Sequence, residues 1–243
     1  MIARAERAPA LLRFAAPLAW RDDPAIARKL MGFAATEEGS ALDMLRAAER
    51  ATDPRLRRLF LRHGLDEARH AQRFRDTARA IAPNHARTRA HEAVRAERQD
   101  LWERFGETRF VAFVYLSESR AAKQFGVLAD HFADHGVLGP LFTEIGKDER
   151  FHVAYSKQLL DEWRAAGRTR EVARALRKVK LSMAWSAWLR AGRRIGDRLI
   201  RLLLATLFVT AVAPFGLFAR RRPAGWKTQA VSLKTHEDFR RQY

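Results

Sequence analysis

Two stretches of this chain carry the same acids and histidine in the same order. In LRHGLDEARHAQRF, Asp66, Glu67 and His70 form D-E-x-x-H, and in EIGKDERFHVAYSKQLL, Asp148, Glu149 and His152 repeat it. Positions three apart on a helix lie about 60° apart on one face, so Glu67 and His70 can reach a single point off the helix surface. Glu149 and His152 can do the same. Carboxylate and neutral imidazole together ligate divalent metal ions. Two such pairs alone leave two ions short of ligands and of negative charge, so further carboxylates are required.

Two more glutamates are candidates. Glu38 in FAATEEGSALDML and Glu118 in FVYLSESRAAKQF are each followed three residues later by an alanine, Ala41 and Ala121, which leaves space beside the carboxylate. With the first turn placed at residues 52 to 53, Glu38 and Glu67 lie 14 residues from it on either side, level with each other in an antiparallel pair. Glu37 is the rival to Glu38, with the exposed face as its expected place. The midpoint of Glu118 and Glu149 falls between residues 133 and 134, a few residues before the centre of the second apparent turn. An early end to the third helix, or an irregular start to the fourth, would bring them level. The spacings repeat: 29 and 31 residues within the halves, 80 and 82 between them.

The elements that must carry these residues read as helices. Asp22 or Asp23 before Pro24, and Asp53 before Pro54, are capping residues followed by proline at the first helical position. The first helix is predicted to run to about Ala51 and the second to about Ile81, with so short a connection that they are antiparallel neighbours. A longer crossover from Ala82 to about Gly106 has a helical pattern of its own in HEAVRAERQDLWERF. The third helix covers roughly Glu107 to Ala133, and DHGVLGP turns the chain into a fourth that ends near Gly167. Strand signals are close to absent.

Composition narrows the chemistry. There is no cysteine, which excludes disulfides, thiolate metal sites and thiol catalysis. The formal charge is +18, but residues 1 to 163 hold 27 basic and 24 acidic residues, whereas residues 164 to 201 hold 12 against 2. Basicity therefore belongs to the C-terminal third, and the near-neutral remainder argues against nucleic acid as a partner. Residues 1 to 23 read as a frayed or amphipathic lead-in, since Arg13 interrupts the apolar run a signal peptide would need.

The two Glu and Glu-x-x-His halves together resemble the ferritin-like di-iron carboxylate superfamily, over about residues 24 to 166. The resemblance implies an all-α fold, a four-helix bundle of two antiparallel hairpins joined by a crossover. It implies that Glu38, Glu67, His70, Glu118, Glu149 and His152 hold two Fe ions, with Mn the other suitable metal, and that O2 is co-substrate. Asp66 and Asp148 would hydrogen-bond ligand histidines, fixing the tautomer and raising ligand basicity. ATEEGSA is similar to the first-helix motif of the demethoxyubiquinone hydroxylase family, which implies a monooxygenase acting on a lipophilic substrate, with electrons from an external donor. The alternative is a membrane-tethered, rubrerythrin-like ferroxidase or peroxide scavenger, although the chain lacks a cysteine-bearing rubredoxin module. Residues from Gly167 to Tyr243 lie outside the resemblance.

Other residues take plainer roles. His63, four before Glu67 on the same face, is expected to cap or to support a ligand, with ligation itself as the alternative. Tyr115 and Tyr155 lie three residues from Glu118 and His152 on the site face, where core packing is their ordinary role and lining a substrate channel the sharper one. His131 and His135 have a zinc-like i, i+4 spacing, but His135 before Gly136 suits a helix C-terminus.

Beyond Gly167 a basic stretch carries Trp185 and Trp188, and then Leu202 to Ala219 runs 18 residues without a charge. That length is the short end of a membrane-spanning segment, and Pro214 and Gly216 also allow one that lies in a single leaflet. Arg198 and Arg201 before it, and Arg220, Arg221 and Arg222 after it, suit an anionic membrane surface. Residues 167 to 222 are read as the membrane segment and 223 to 243 as a tail. The expected location is membrane-associated, with the bundle on the cytoplasmic face of the inner membrane, as monomer or homo-oligomer.

Overall fold

Asp22 and Asp53 set where the first two long helices begin. In the computed structural model, which describes residues 20–85 and 100–220, α1 spans Asp23–Arg50 and α2 spans Pro54–Ile81. The Asp22 carboxylate accepts from the Ala25 N–H at 2.8 Å and the Asp53 carboxylate from the Arg55 N–H at 2.7 Å. Each satisfies a backbone donor the first turn would leave orphaned, ahead of a proline that has none to lose. Only Ala51 to Asp53 separate the helices, and the two pack along their length as an antiparallel pair. The lead-in up to residue 19, the HEAVRAERQ part of the crossover pattern and the tail from residue 221 lie outside the described residues.

The crossover is tied at its far end. A short α3 (Leu101–Phe105) is capped by Asp100, which also pairs with Arg50 at 2.8 Å, fixing the crossover to the end of α1. Trp102 packs edge-on to Phe60 and Phe110. There follow α4 (Glu107–His131) and α5 (Leu138–Trp163), which pair as the second hairpin. The third long helix thus ends two residues earlier than the sequence suggests. In the turn, a Cβ on Gly139 would stand 2.4 Å from the Phe132 carbonyl oxygen, so only glycine lets α5 start this close to the end of α4. His135 lies in this turn, and its Nδ1 accepts from the Val137 and Leu138 N–H groups, so it caps the start of α5 and does not close α4.

Apolar side chains gather in two layers. One holds Leu30, Phe74, Phe125, Phe142 and Ile145, and the other Met44, Phe60, Phe110, Leu159 and Leu160. Residues 37, 67, 118 and 149 fall in sequence between the parts of each helix that feed these layers. Burial of each large apolar side chain is worth about 1.5–3 kcal/mol. That is the term that holds charged groups in the middle.

At Ala166 and Gly167 the backbone leaves helical geometry, Gly167 with φ +87°, which ends the fourth long helix where the sequence indicates. The next helix, α6 (Thr169–Leu207), buries Val172, Ala175 and Val179 in the second apolar layer. The chain divides into two compact units, Met1–Met183 and Ala184–Tyr243, so the first unit extends past the boundary expected near residue 167. Arg168 stacks on Trp163 and bonds Glu171, and Thr108 bonds both, anchoring this turn to the start of α4.

The second unit contains the rest of α6 and α7 (Ala213–Arg220). Trp185 and Trp188 stack at 4.8 Å. Leu199, Leu203, Leu204, Leu207 and Phe208 are all exposed. Ahead of Pro214 the helix widens by a π-type turn at Phe208–Val212, in which the Ala213 N–H reaches the Phe208 carbonyl, the adjustment a proline without N–H requires. One helix among the described residues is long and apolar enough to cross a membrane, with an 18-residue window of mean hydropathy 1.9, none of it buried. The described residues are helical throughout apart from turns, with no strand among them.

Candidate metal centre

α1 brings a glutamate to the centre, and it is Glu37. The buried stripe of α1 includes Leu30, Ala34, Glu37, Ala41 and Met44, a run of threes and fours that places Glu37 on the core side. Glu38, 100° further round the helix, has a half-exposed side chain and pairs with Arg75 of α2 at 3.3 Å. The sequence reading of Glu38 as the inward residue is therefore corrected. Its level test was half a residue out: the turn centres on Thr52, and Glu37 and Glu67 each lie fifteen residues from it.

The remaining five expected ligands come together. Glu67, His70, Glu149 and His152 are 0–1% exposed, and Glu118 is 7% exposed. The early end of α4 at His131 moves the centre of the turn to within one residue of the Glu118–Glu149 midpoint. Two groups form. Glu37, Glu67, His70 and Glu149 each offer an atom within 4.8 Å of the others, and so do His63, Glu67, Glu118 and His152. Glu67 belongs to both. The groups could hold two metal ions, and four carboxylates match the charge of two divalent cations.

The aspartates act crosswise. Asp148, from the second D-E-x-x-H, accepts from His70 Nε2 of the first at 3.1 Å, and Asp66 of the first stands 3.4 Å from His152 Nε2 of the second. Each histidine is thus left with Nδ1 facing a carboxylate: His70 Nδ1 is 3.4 Å from Glu149, and His152 Nδ1 is 3.4 Å from Glu67. Arg69 spans both aspartates, 2.8 Å from Asp66 and 2.9 Å from Asp148. Nothing in the spacing announced Arg69, because one arginine among many on a surface helix carries no signal.

Buried acceptors dominate the electrostatics. Burial, followed by the charges of Glu67, Glu149 and Glu118, pushes the Glu37 carboxyl well up. Glu118 is likewise well up from burial and from Glu149 beside it. Glu149 rises to about 8, driven by burial and by Glu67, Asp148 and Asp66, with Glu118 partly offsetting them. Between two carboxyl groups only a shared proton can bond, so as carboxylates Glu118 and Glu149 repel. Glu67 goes the other way: burial would raise it, but bonds from Glu37, His152 and His63 hold it well below the ordinary range. Both Glu149 oxygens and the Nδ1 atoms of His70 and His152 have no hydrogen-bond partner. Unpartnered buried acceptors and lone pairs facing one another are what a cation would satisfy.

Comparison with protein-family models, with curated proteins and with solved structures finds no match for this chain. The reading of the site rests on its own geometry.

Two aromatic candidates separate. Tyr155 is buried, and its hydroxyl lies 2.6 Å from His63 Nδ1. Burial and the nearby Glu118 and Glu67 push its phenol well up. Tyr115 is half-buried and packs against the second apolar layer. His63 itself is fully buried, stacked on the His152 ring at 3.6 Å, with Nε2 3.0 Å from Glu67. It supports Glu67 as expected and stands closer to the centre than that role requires.

Proposed function

We propose that the first unit is a ferritin-like di-iron bundle and that the protein is a membrane-associated, O2-activating oxidoreductase. The observation that carries this is the pair of overlapping four-residue groups joined at Glu67, with lone pairs of Glu149, His70 and His152 left over between them. Glu37, Glu67, His70, Glu118, Glu149 and His152 would hold the ions, with manganese the other metal this ligand set suits. Bound there, two ferrous ions supply the electrons and coordination sites for reducing O2.

The chain's own residues set the conditions. Asp66 and Asp148 orient the imidazoles, Arg69 bonds both aspartates, and bonds from His70 and Arg69 lower the Asp148 carboxyl against the effect of burial. The apolar layers keep the carboxylates in a medium of low polarity, where their interaction with cations is strongest.

The membrane helix supports a lipophilic substrate, of the quinone, acyl or isoprenoid class, with hydroxylation as the reaction and an external electron donor. The bundle would lie on the cytoplasmic face of the inner membrane, held by the basic residues near Trp185 and Trp188 to anionic lipid. Detergent-purified protein reconstituted anaerobically with 57Fe(II) should hold two irons per chain and, after O2, give an antiferromagnetically coupled Mössbauer signal. Glu67→Ala and Glu149→Ala should lose it. No stoichiometric iron in the wild type would overturn the di-iron reading. Peroxide turnover with no dependence on any lipid substrate would replace hydroxylation with peroxide scavenging.

A further inference from the structure

The two halves of the centre match at eight positions: Glu37 with Glu118, and Asp66, Glu67 and His70 with Asp148, Glu149 and His152. Around this frame the match breaks. The counterpart of His63, four before the motif glutamate, is Ile145 in the second half, and the counterpart of Tyr155, three after the motif histidine, is Arg73 in the first. Ile145 is buried in the apolar layer that includes Phe74 and Phe142. The polar pair His63 and Tyr155 therefore has no equivalent across the centre.

His63 is arranged as the other two imidazoles are. Each has one ring nitrogen on an outer oxygen and the other turned inward. The outer partners are Asp148 for His70, Asp66 for His152 and the Tyr155 hydroxyl for His63. Inward, His70 Nδ1 faces Glu149, His152 Nδ1 faces Glu67 Oε1 at 3.4 Å, and His63 Nε2 faces that same Glu67 Oε1 at 3.0 Å. His63 Nε2 also stands 3.8 Å from Glu118. Two imidazole nitrogens and two carboxylates thus converge on one point, while the other group offers one imidazole and three carboxylates. A ligating histidine whose second nitrogen bonds an oxygen is the usual arrangement at metal sites, because that bond fixes the ring and its tautomer.

We infer that His63 is a metal ligand, and that the centre is unequal: one position has His63, His152, Glu67 and Glu118, the other His70, Glu37, Glu67 and Glu149. The inference rests on the two-metal reading above. Nitrogen-rich coordination favours the later first-row divalent ions, so the His63 position binds Co(II) ahead of its neighbour. Tyr155 is a positioning residue that acts through His63.

The test is anaerobic titration of metal-free full-length protein in detergent with Co(II), followed by visible absorption and by bound-metal analysis. The wild type should take up two ions in two resolved steps, with the first weakened at least about tenfold in His63→Gln, whose amide can still donate to Glu67. His70→Gln should weaken the second step and leave the first. Should His63→Gln fail to fold, X-ray absorption of the wild type loaded with two Co(II) counts the imidazoles directly, three across two ions against two. Two unchanged steps in His63→Gln, or a count of two imidazoles, would make His63 a hydrogen-bonding support only. A wild type that binds no Co(II) would instead overturn the two-metal reading itself.

Discussion

Glu67 is the one carboxylate of the four whose surroundings favour its charge, because Glu37, His152 and His63 all turn hydrogen-bonding groups on it, against the effect of burial. Its neighbours are held neutral by burial, and this sets a pH dependence for the metal-free protein. Glu149 goes from an ordinary 4.5 to about 8. The folded state therefore binds more protons than the unfolded chain between these values, so stability is full below about pH 4.5 and falls as pH rises toward 8. The Tm of metal-free protein should drop by roughly 5–10 °C from pH 5.5 to pH 8.5. Glu149→Gln should flatten that slope, and an unchanged slope in the variant would assign it to other groups. Five of the seven inward residues, Glu67, His70, Glu118, Glu149 and His152, are the ones the sequence pattern indicates. The choice of Glu37 over Glu38 turned on 100° of rotation and half a residue of turn position, and the better signal was phase: Leu30 and Met44 lie seven residues either side of Glu37. His63 was legible as a neighbour of Glu67, but its inward nitrogen depends on Tyr155, 92 residues away, which no local pattern encodes.

At the scale of elements, the register between helices is what makes the residues a site. Caps fix it in the first hairpin, and the glycine contact fixes it in the second. Gly139→Ala puts a methyl group against the Phe132 carbonyl, which must shift α5 along or away from α4. A loss of about 1–3 kcal/mol is expected, read as a Tm lowered by roughly 2–10 °C. Iron stoichiometry should fall below two in folded variant protein, whereas Gly136→Ala, where a Cβ meets nothing within 4 Å, should leave it intact. Full iron occupancy in Gly139→Ala would show that α5 start and site register are independent. The starts of the first two helices were legible because Asp-Pro pairs mark them. The end of α4 was not, since Phe132 and Ala133 continue a helical pattern and only the tight turn stops them.

For the whole molecule, charge is segregated along the sequence, with the change near residue 164, inside the first unit. The bundle sequence is near neutral, and the excess arginine lies around an apolar segment with exposed leucines. The wild type should float with vesicles of zwitterionic and anionic lipid. Leu204→Arg in the exposed apolar face should shift it toward the soluble fraction, since an arginine at mid-membrane costs about 2.5–3.5 kcal/mol. Flotation unchanged by that substitution would place the attachment elsewhere. The charge-free run was legible from composition alone. That Val172, Ala175 and Val179 belong to the first unit was not, because three small apolar residues in a basic stretch look like part of the stretch.

The crossed aspartates have an implication for ancestry. Bonds in which residue i of one element meets j of another, and j meets i in return, are the signature of identical partners related by a twofold axis. Asp66 with His152, and Asp148 with His70, have that form within a single chain. A lone helical hairpin carrying D-E-x-x-H would find its missing aspartate on a second copy of itself. A pair so fused would be free to let its first half carry a histidine, His63, and its second a tyrosine, Tyr155, that have no counterpart in the other.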